Sequence, residues 1–176
     1  MTMPHIDDGD GSTEWIIKGQ NTKAKVFNTP GYPKRIPKPR PDLYEIRMTP
    51  DMGQGVFAKR YIKCGELIFS ERPLLMAPNW LGGDSRMLEL YRQYTPDQAR
   101  QVLMFEFEKV LDIAVQRMGE KEKAAFMSLC NSHTADGSGD LFGIMRTNSF
   151  VCDAISDAGP LKYGGICNTG SRINHR

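Results

Sequence analysis

No apolar stretch in this chain approaches the roughly 20 residues needed to cross a bilayer. Its first residues, Met-Thr-Met-Pro-His-Ile-Asp-Asp, lack the basic region and apolar core of a secretory signal. A membrane role is not expected, and the expected compartment is nuclear or cytoplasmic. Cysteine is scarce, with only Cys64, Cys130, Cys152 and Cys167. None pairs as C-x-x-C, so neither a clustered zinc module nor a disulfide-stapled scaffold is indicated. Cys130 and His133 stand as C-x-x-H, but no second ligand pair completes a site, and no metal is expected. The reading is of free, mostly buried thiols acting as small hydrophobes. Histidine is rarer still (His5, His133, His175). Excess charge is also missing. Lys plus Arg is 23 against 21 Asp plus Glu, a net of +2, so the whole chain is no polycation built for nucleic acid. Internal repeats are absent.

What is present is ordinary globular composition, 40 % hydrophobic and 25 % charged over 176 residues, the length of one domain. Residues 1 to 42 read as a disordered, basic and Pro-rich tail. Pro30, Pro33, Pro37, Pro39 and Pro41 remove backbone donors and fix φ, which favours an extended linker. Between Trp15 and Pro41 lie Lys18, Lys23, Lys25, Lys34, Arg35, Lys38 and Arg40, with no acidic residue. Residues 18–40 are therefore a candidate contact for nucleic acid or an acidic protein face, with a solvated linker as the plainer reading.

From Leu43 the texture changes. Tyr44-Glu45-Ile46-Arg47-Met48 alternates as a half-buried strand does. A turn-rich loop follows, then an extended Val56-Phe57-Ala58, a turn at Cys64-Gly65-Glu66 and a predicted strand over Leu67–Glu71. Thr95-Pro96-Asp97-Gln98 offers an N-cap, a proline at the first helical position and a capping glutamine. Ala99, Val102, Leu103, Phe107, Val110, Leu111, Ala114, Val115 and Met118 then fall on one helical face, and Gly119 is a possible stop. A second helix is predicted over 120–130, with Phe126, Met127 and Leu129 on its buried side. Asn131–Gly139 is a polar loop. Phe142–Val151 returns to apolar, partly β-branched texture. The last segment, from Tyr163, is Gly-rich.

Taken singly, the candidate site residues are weak. Gly53-x-Gly55 reads first as a tight turn, and as a place where a ligand nears the backbone only in a suitable context. Asn148 reads first as a turn or edge residue. Asn174-His175 offers donors and acceptors able to fix a ligand, but a terminal Asn-His is usually just exposed.

Together they form a pattern. MGQGVFAKRYIKCGELIFSERPLL resembles the opening of the SET domain of protein lysine methyltransferases, through Gly53, Gly55, Val56, Phe57, Ala58, Arg60, Ile62, Gly65, Glu66, Ile68 and Glu71. TNSFV (Thr147–Val151) resembles the family strand before the cofactor pocket, and GGICNTGSRINH (Gly164–His175) the run into the family's Asn-His motif. The order of the blocks is that of the family. A helical insertion over about 84–131 resembles the split SET type, without its MYND zinc module. The resemblance implies an α+β, β-rich SET-like fold over 43–176 (an incomplete β-clip). It implies a bent S-adenosyl-L-methionine contacted by Gly53, Gln54, Gly55, Asn148, Asn174 and His175. The partner it implies is a protein substrate presenting a lysine, histone or non-histone.

The family continues past Asn-His with Ser-Cys, a further strand and a tyrosine facing the reacting amine. Here Arg176 follows His175, and none of Tyr32, Tyr44, Tyr61, Tyr91, Tyr94 and Tyr163 holds that position. The expectation is a C-terminally truncated SET-like domain of low stability, with no catalytic residue assigned and little or no methyl transfer. The alternatives are a non-catalytic protein-interaction fragment and a weak nucleic-acid binder through 18–40.

Overall fold

The computed structural model describes residues 1–18, 20–51, 53–79, 84–152 and 162–173. The fold class is α+β. Its strands are β1 (Thr2–Met3), β2 (Thr13–Trp15), β3 (Tyr44–Thr49), β4 (Gly53–Ala58), β5 (Leu75–Pro78), β6 (Ser149–Cys152) and β7 (Tyr163–Ile166). Its helices are α1 (Gln20–Phe27), α2 (Asp84–Tyr91), α3 (Pro96–Gln116), α4 (Glu120–Met127) and α5 (Asp140–Asn148), with a 3-10 turn at Gly170–Arg172. Five strands form an open sheet in the order β1-β2-β5-β7-β6, and β3 and β4 form a separate antiparallel hairpin.

α3 organises the core. Thr95 and Gln98 form a reciprocal capping box, with Pro96 opening the helix. Ala99, Leu103, Phe107, Leu111, Ala114 and Val115 are buried, as their spacing predicts. Met104 joins them, while Val102 and Val110 are only half-buried. From Met104 onward this face packs with Phe126, Leu129, Phe142, Ile144 and Met145, against Leu75, Ala77 and Ile166 of the sheet, while Ala99 and Leu103 pack with Leu90. The start of α5 has no side-chain cap of its own. The Glu108 carboxylate of α3 instead accepts N–H bonds from Leu141 (2.9 Å) and Phe142 (2.7 Å). It reaches them through the space where a side chain at Gly139 would begin, since a Cβ there would meet Glu108 Cδ at 2.2 Å. A carboxylate at a helix N-terminus also complements the helix dipole.

Several expectations are corrected. The chain before Pro30 is not an extended tail. Glu14 and Trp15 of β2 pair in parallel with Leu75 and Met76, and Met3, Trp15 and Val26 pack with Met76 and Tyr163. Glu14 is fully buried and accepts bonds from Arg117 Nη2 (2.5 Å) and Thr2 Oγ1 (2.7 Å). The prolines that suggested a linker begin only at residue 30, and the apolar residues before them satisfy their burial in the sheet. Leu67–Glu71 is not a regular strand. Pro73 lacks a donor, and Glu71 is drawn away to cap a distant turn. Much of the apolar run after Asp140 is helix α5, and only 149–152 is strand. α4 ends at Met127, whose side chain is exposed. Of the thiols, Cys64 and Cys130 are exposed, not buried. Among the described residues no helix is long and apolar enough to cross a membrane, and no cluster of His, Cys, Asp or Glu is able to hold a metal ion.

Candidate functional site

The three sequence blocks that carry the resemblance meet at the 3-10 turn. The glycine block forms the β3–β4 hairpin, with Thr49 facing Gly53 and Met48 facing Gln54. Gly53 has φ +67°, a left-handed backbone that side chains resist, and Thr49 Oγ1 donates to its carbonyl at 2.8 Å. Among the described residues nothing lies within 4 Å of where its Cβ would stand, so the turn and not crowding demands the glycine. Gly55 is buried and Gln54 exposed.

Asn148 closes α5. Its amide Nδ2 donates to Cys130 O and Ile144 O, both at 2.7 Å. Its backbone carbonyl accepts from Ser171 Oγ (2.9 Å), and the same hydroxyl accepts the Cys167 N–H (3.0 Å). The amide nitrogen is thus committed to structure, and among the described residues Oδ1 is the group left for a ligand donor.

Arg172 completes the junction. It is buried and donates from Nε to Gln54 Oε1 (2.6 Å) and from Nη2 to Ser128 Oγ (2.7 Å). Nη1 donates to Asn168 Oδ1 (2.9 Å) and to the Asn168 carbonyl. Every one of these acceptors is neutral. Burial lowers the guanidinium's pKa from its ordinary value, and the Glu71 carboxylate opposes that shift. Glu71 holds the turn itself, accepting the Thr169 N–H (3.0 Å) and the Gly170 N–H (2.6 Å).

Gln54 and Asn148 are therefore brought to one place through Arg172 and Ser171, with the glycines at its rim. Asn174 and His175 lie outside the described residues. Sequence reading missed Arg172, Ser171, Asn168 and Ser128. The available signal was an arginine between Gly170 and Ile173 in a run with no other charged residue from Gly164 to Asn174. Beside the junction a cleft of about 500 Å³ opens between the 9–12 loop, the 36–39 segment and α4, with Phe69, Glu71 and Asn168 among its walls.

The basic stretch is exposed at all seven cations, and two of its arginines face carboxylates. Arg35 lies 3.6 Å from Asp10, and Arg40 lies 3.2 Å from Asp42.

Cys167 borders the junction. Burial, the Glu71 carboxylate and the Cys152 thiol push its pKa up to about 12. The unfolded thiol ionises near 8.5, so stability falls as pH rises from about 8.5 towards 12, because only the unfolded state releases the proton there. At pH 8 iodoacetamide is expected to modify Cys64 and Cys130 first and Cys167 about a hundredfold more slowly, read by mass spectrometry of timed samples.

Comparison with known proteins returns no matching family model, and neither a curated protein nor a solved structure matches the chain significantly.

Proposed function

We propose that the chain is the cofactor-binding part of a SET-like protein-lysine N-methyltransferase, with S-adenosyl-L-methionine as its ligand. The observation that carries this reading is the convergence of Gln54, Asn148 and the Ser171–Arg172 turn, three blocks remote in sequence and joined by hydrogen bonds. The α+β architecture, with an open sheet and a separate glycine hairpin, supports the reading.

The donor set suits the ligand. Backbone groups at Gly53–Gly55 and the Asn148 Oδ1 acceptor match a molecule carrying an amino group, a carboxylate and an adenine edge. When bound, the cofactor supplies a methyl group to a lysine amine. The chain's own residues orient that ligand, with Asn148 held by two carbonyls and Gln54 by a guanidinium. No side chain is assigned to face the reacting amine. Tyr163 is buried, with its hydroxyl accepting the Lys18 N–H (2.9 Å).

Equilibrium dialysis with labelled S-adenosylmethionine tests the reading. Saturable binding, lost in Asn148→Ala with the fold retained by circular dichroism, is expected, together with negligible methyl transfer to histone lysines. Absence of binding overturns it.

The exposed cations of 18–40 support a second reading, a nucleic-acid contact. That reading requires DNA or RNA affinity that falls steeply with salt; flat or absent binding at low salt removes it.

A further inference from the structure

The β3–β4 hairpin is a semi-detached part of the fold. Among the described residues its strands pair with each other, and neither joins the five-stranded sheet. At its base Tyr44 packs on Phe69, with ring centroids 5.3 Å apart. Its tip half carries exposed apolar side chains, with Met48 70 % accessible. Beyond its own hairpin, β4 contacts the 3-10 turn. There, among the described residues, the Arg172 Nε–Gln54 Oε1 bond of 2.6 Å makes a polar link.

The other end of that guanidinium is not free to follow the hairpin. Nη1 is fixed by both oxygens of Asn168, and Nη2 by Ser128 just past the end of α4. Ser128 Oγ is in turn committed to the Ala125 carbonyl at 2.7 Å. Four of the five guanidinium N–H groups are thus engaged, in a planar fork whose geometry a lysine is unable to reproduce. A buried cation that, among the described residues, is held by neutral oxygens and ion-pairs with no carboxylate has little to gain from its own burial, since desolvation opposes it. Its contribution lies in fixing geometry across three segments.

We propose that Arg172 is a positioning residue that locks the glycine hairpin against the turn leading to Asn174 and His175, with α4 as the fixed point. Its role in assembling a cofactor site rests on the reading under Proposed function; the lock itself does not. With Arg172 in place, Gln54 is held at the junction and Gly53–Gly55 are presented beside Asn148. Without it, the hairpin keeps its internal pairing but loses its register against the junction.

Hydrogen–deuterium exchange on the full chain tests the lock. Arg172→Met and Gln54→Ala are each expected to speed exchange of peptides over 53–58 at least tenfold, while peptides within 99–115 keep wild-type protection. The double variant is expected to match Arg172→Met alone, because both changes remove one bond. Gln54→Glu, which converts the bond into a charge-assisted pair, is expected to slow exchange. Unchanged hairpin exchange in Gln54→Ala, or additive effects in the double variant, overturns the proposal. Should Arg172→Met unfold the chain, Gln54→Ala and Gln54→Glu still decide, since both act on the exposed side of the bond. Dialysis with S-adenosylmethionine separates the two ideas. About a tenfold affinity loss in Gln54→Ala supports both, whereas localised exchange in a protein that binds no cofactor leaves the lock standing and overturns the reading of function.

Discussion

Phe107→Ala is expected to destabilise the chain by about 4 kcal/mol, the usual scale for deleting a fully buried aromatic ring. Over a chain of this length the melting temperature should fall by about 12 °C. Phe107 is 1 % exposed and sits at the centre of the α3 stripe. Its ring centre lies 4.9 Å from that of Phe142 at 46°, a tilted pair that ties α3 to α5. The site has little freedom to collapse. Leu111 and Leu103 flank it on α3, and α5 is pinned to the same helix by Glu108. The cavity should therefore persist, and cavity volume is what raises such losses above simple transfer energies. Phe107→Leu keeps most of the volume and is expected to cost about 1.5 kcal/mol. Thermal unfolding followed by circular dichroism measures both. A loss below 1 kcal/mol in Phe107→Ala would mean that the helices close over the gap and that α5 is not held as described.

The helix that carries Phe107 was the most legible part of the sequence. Its cap, its proline and its apolar period are local signals, and all act within one element. The β3–β4 hairpin was legible for the same reason, from alternation next to a glycine turn. β2 was not. Thr13–Trp15 carries no strand alternation to speak of, and its partner in the sheet is Leu75–Met76, a parallel pairing far along the chain. The prolines after residue 30 invited the neighbouring residues to be read with them. Leu67–Glu71 failed in the opposite direction. Its residues have the right texture for a strand, but the last of them leaves to serve a turn almost a hundred positions away.

The candidate site divides in the same way. Gly53, Gln54, Gly55 and Asn148 stood out because short motifs announced them. Arg172 did not, because its meaning is in its acceptors, and the one on Gln54 is 118 positions away. Exposure is similarly invisible from local sequence. Cys130 ends a predicted helix and reads as apolar, yet the helix stops at Met127 and leaves it in solvent.

Glu71→Ala is expected to cost about 3 kcal/mol, because two backbone N–H groups lose a charged acceptor at once. The carboxylate takes Thr169 and Gly170 together, and no residue of the 3-10 turn caps it from within. Loss of that anchor frees the turn on which Ser171 and Arg172 depend, so the contacts to Asn148 and Gln54 should loosen with it. Glu71→Gln separates geometry from charge. An amide oxygen still accepts both N–H bonds, so the stability loss should shrink to about 1 kcal/mol. The charge, however, is gone, and Glu71 is one of the groups that raise the Cys167 pKa. Removing it must lower that pKa, increase the thiolate fraction and quicken alkylation of Cys167 at fixed pH. It should also weaken the guanidinium's hold on its proton, since Glu71 is what opposes the effect of burial at Arg172. The decisive comparison is Cys167 alkylation in Glu71→Gln against wild type at pH 8, with protection of the α3 amides as the control for unfolding. Faster modification with α3 still protected identifies the electrostatic effect. An unchanged rate would place the carboxylate's influence on Cys167 in burial alone and would separate Glu71 from the chemistry of the junction.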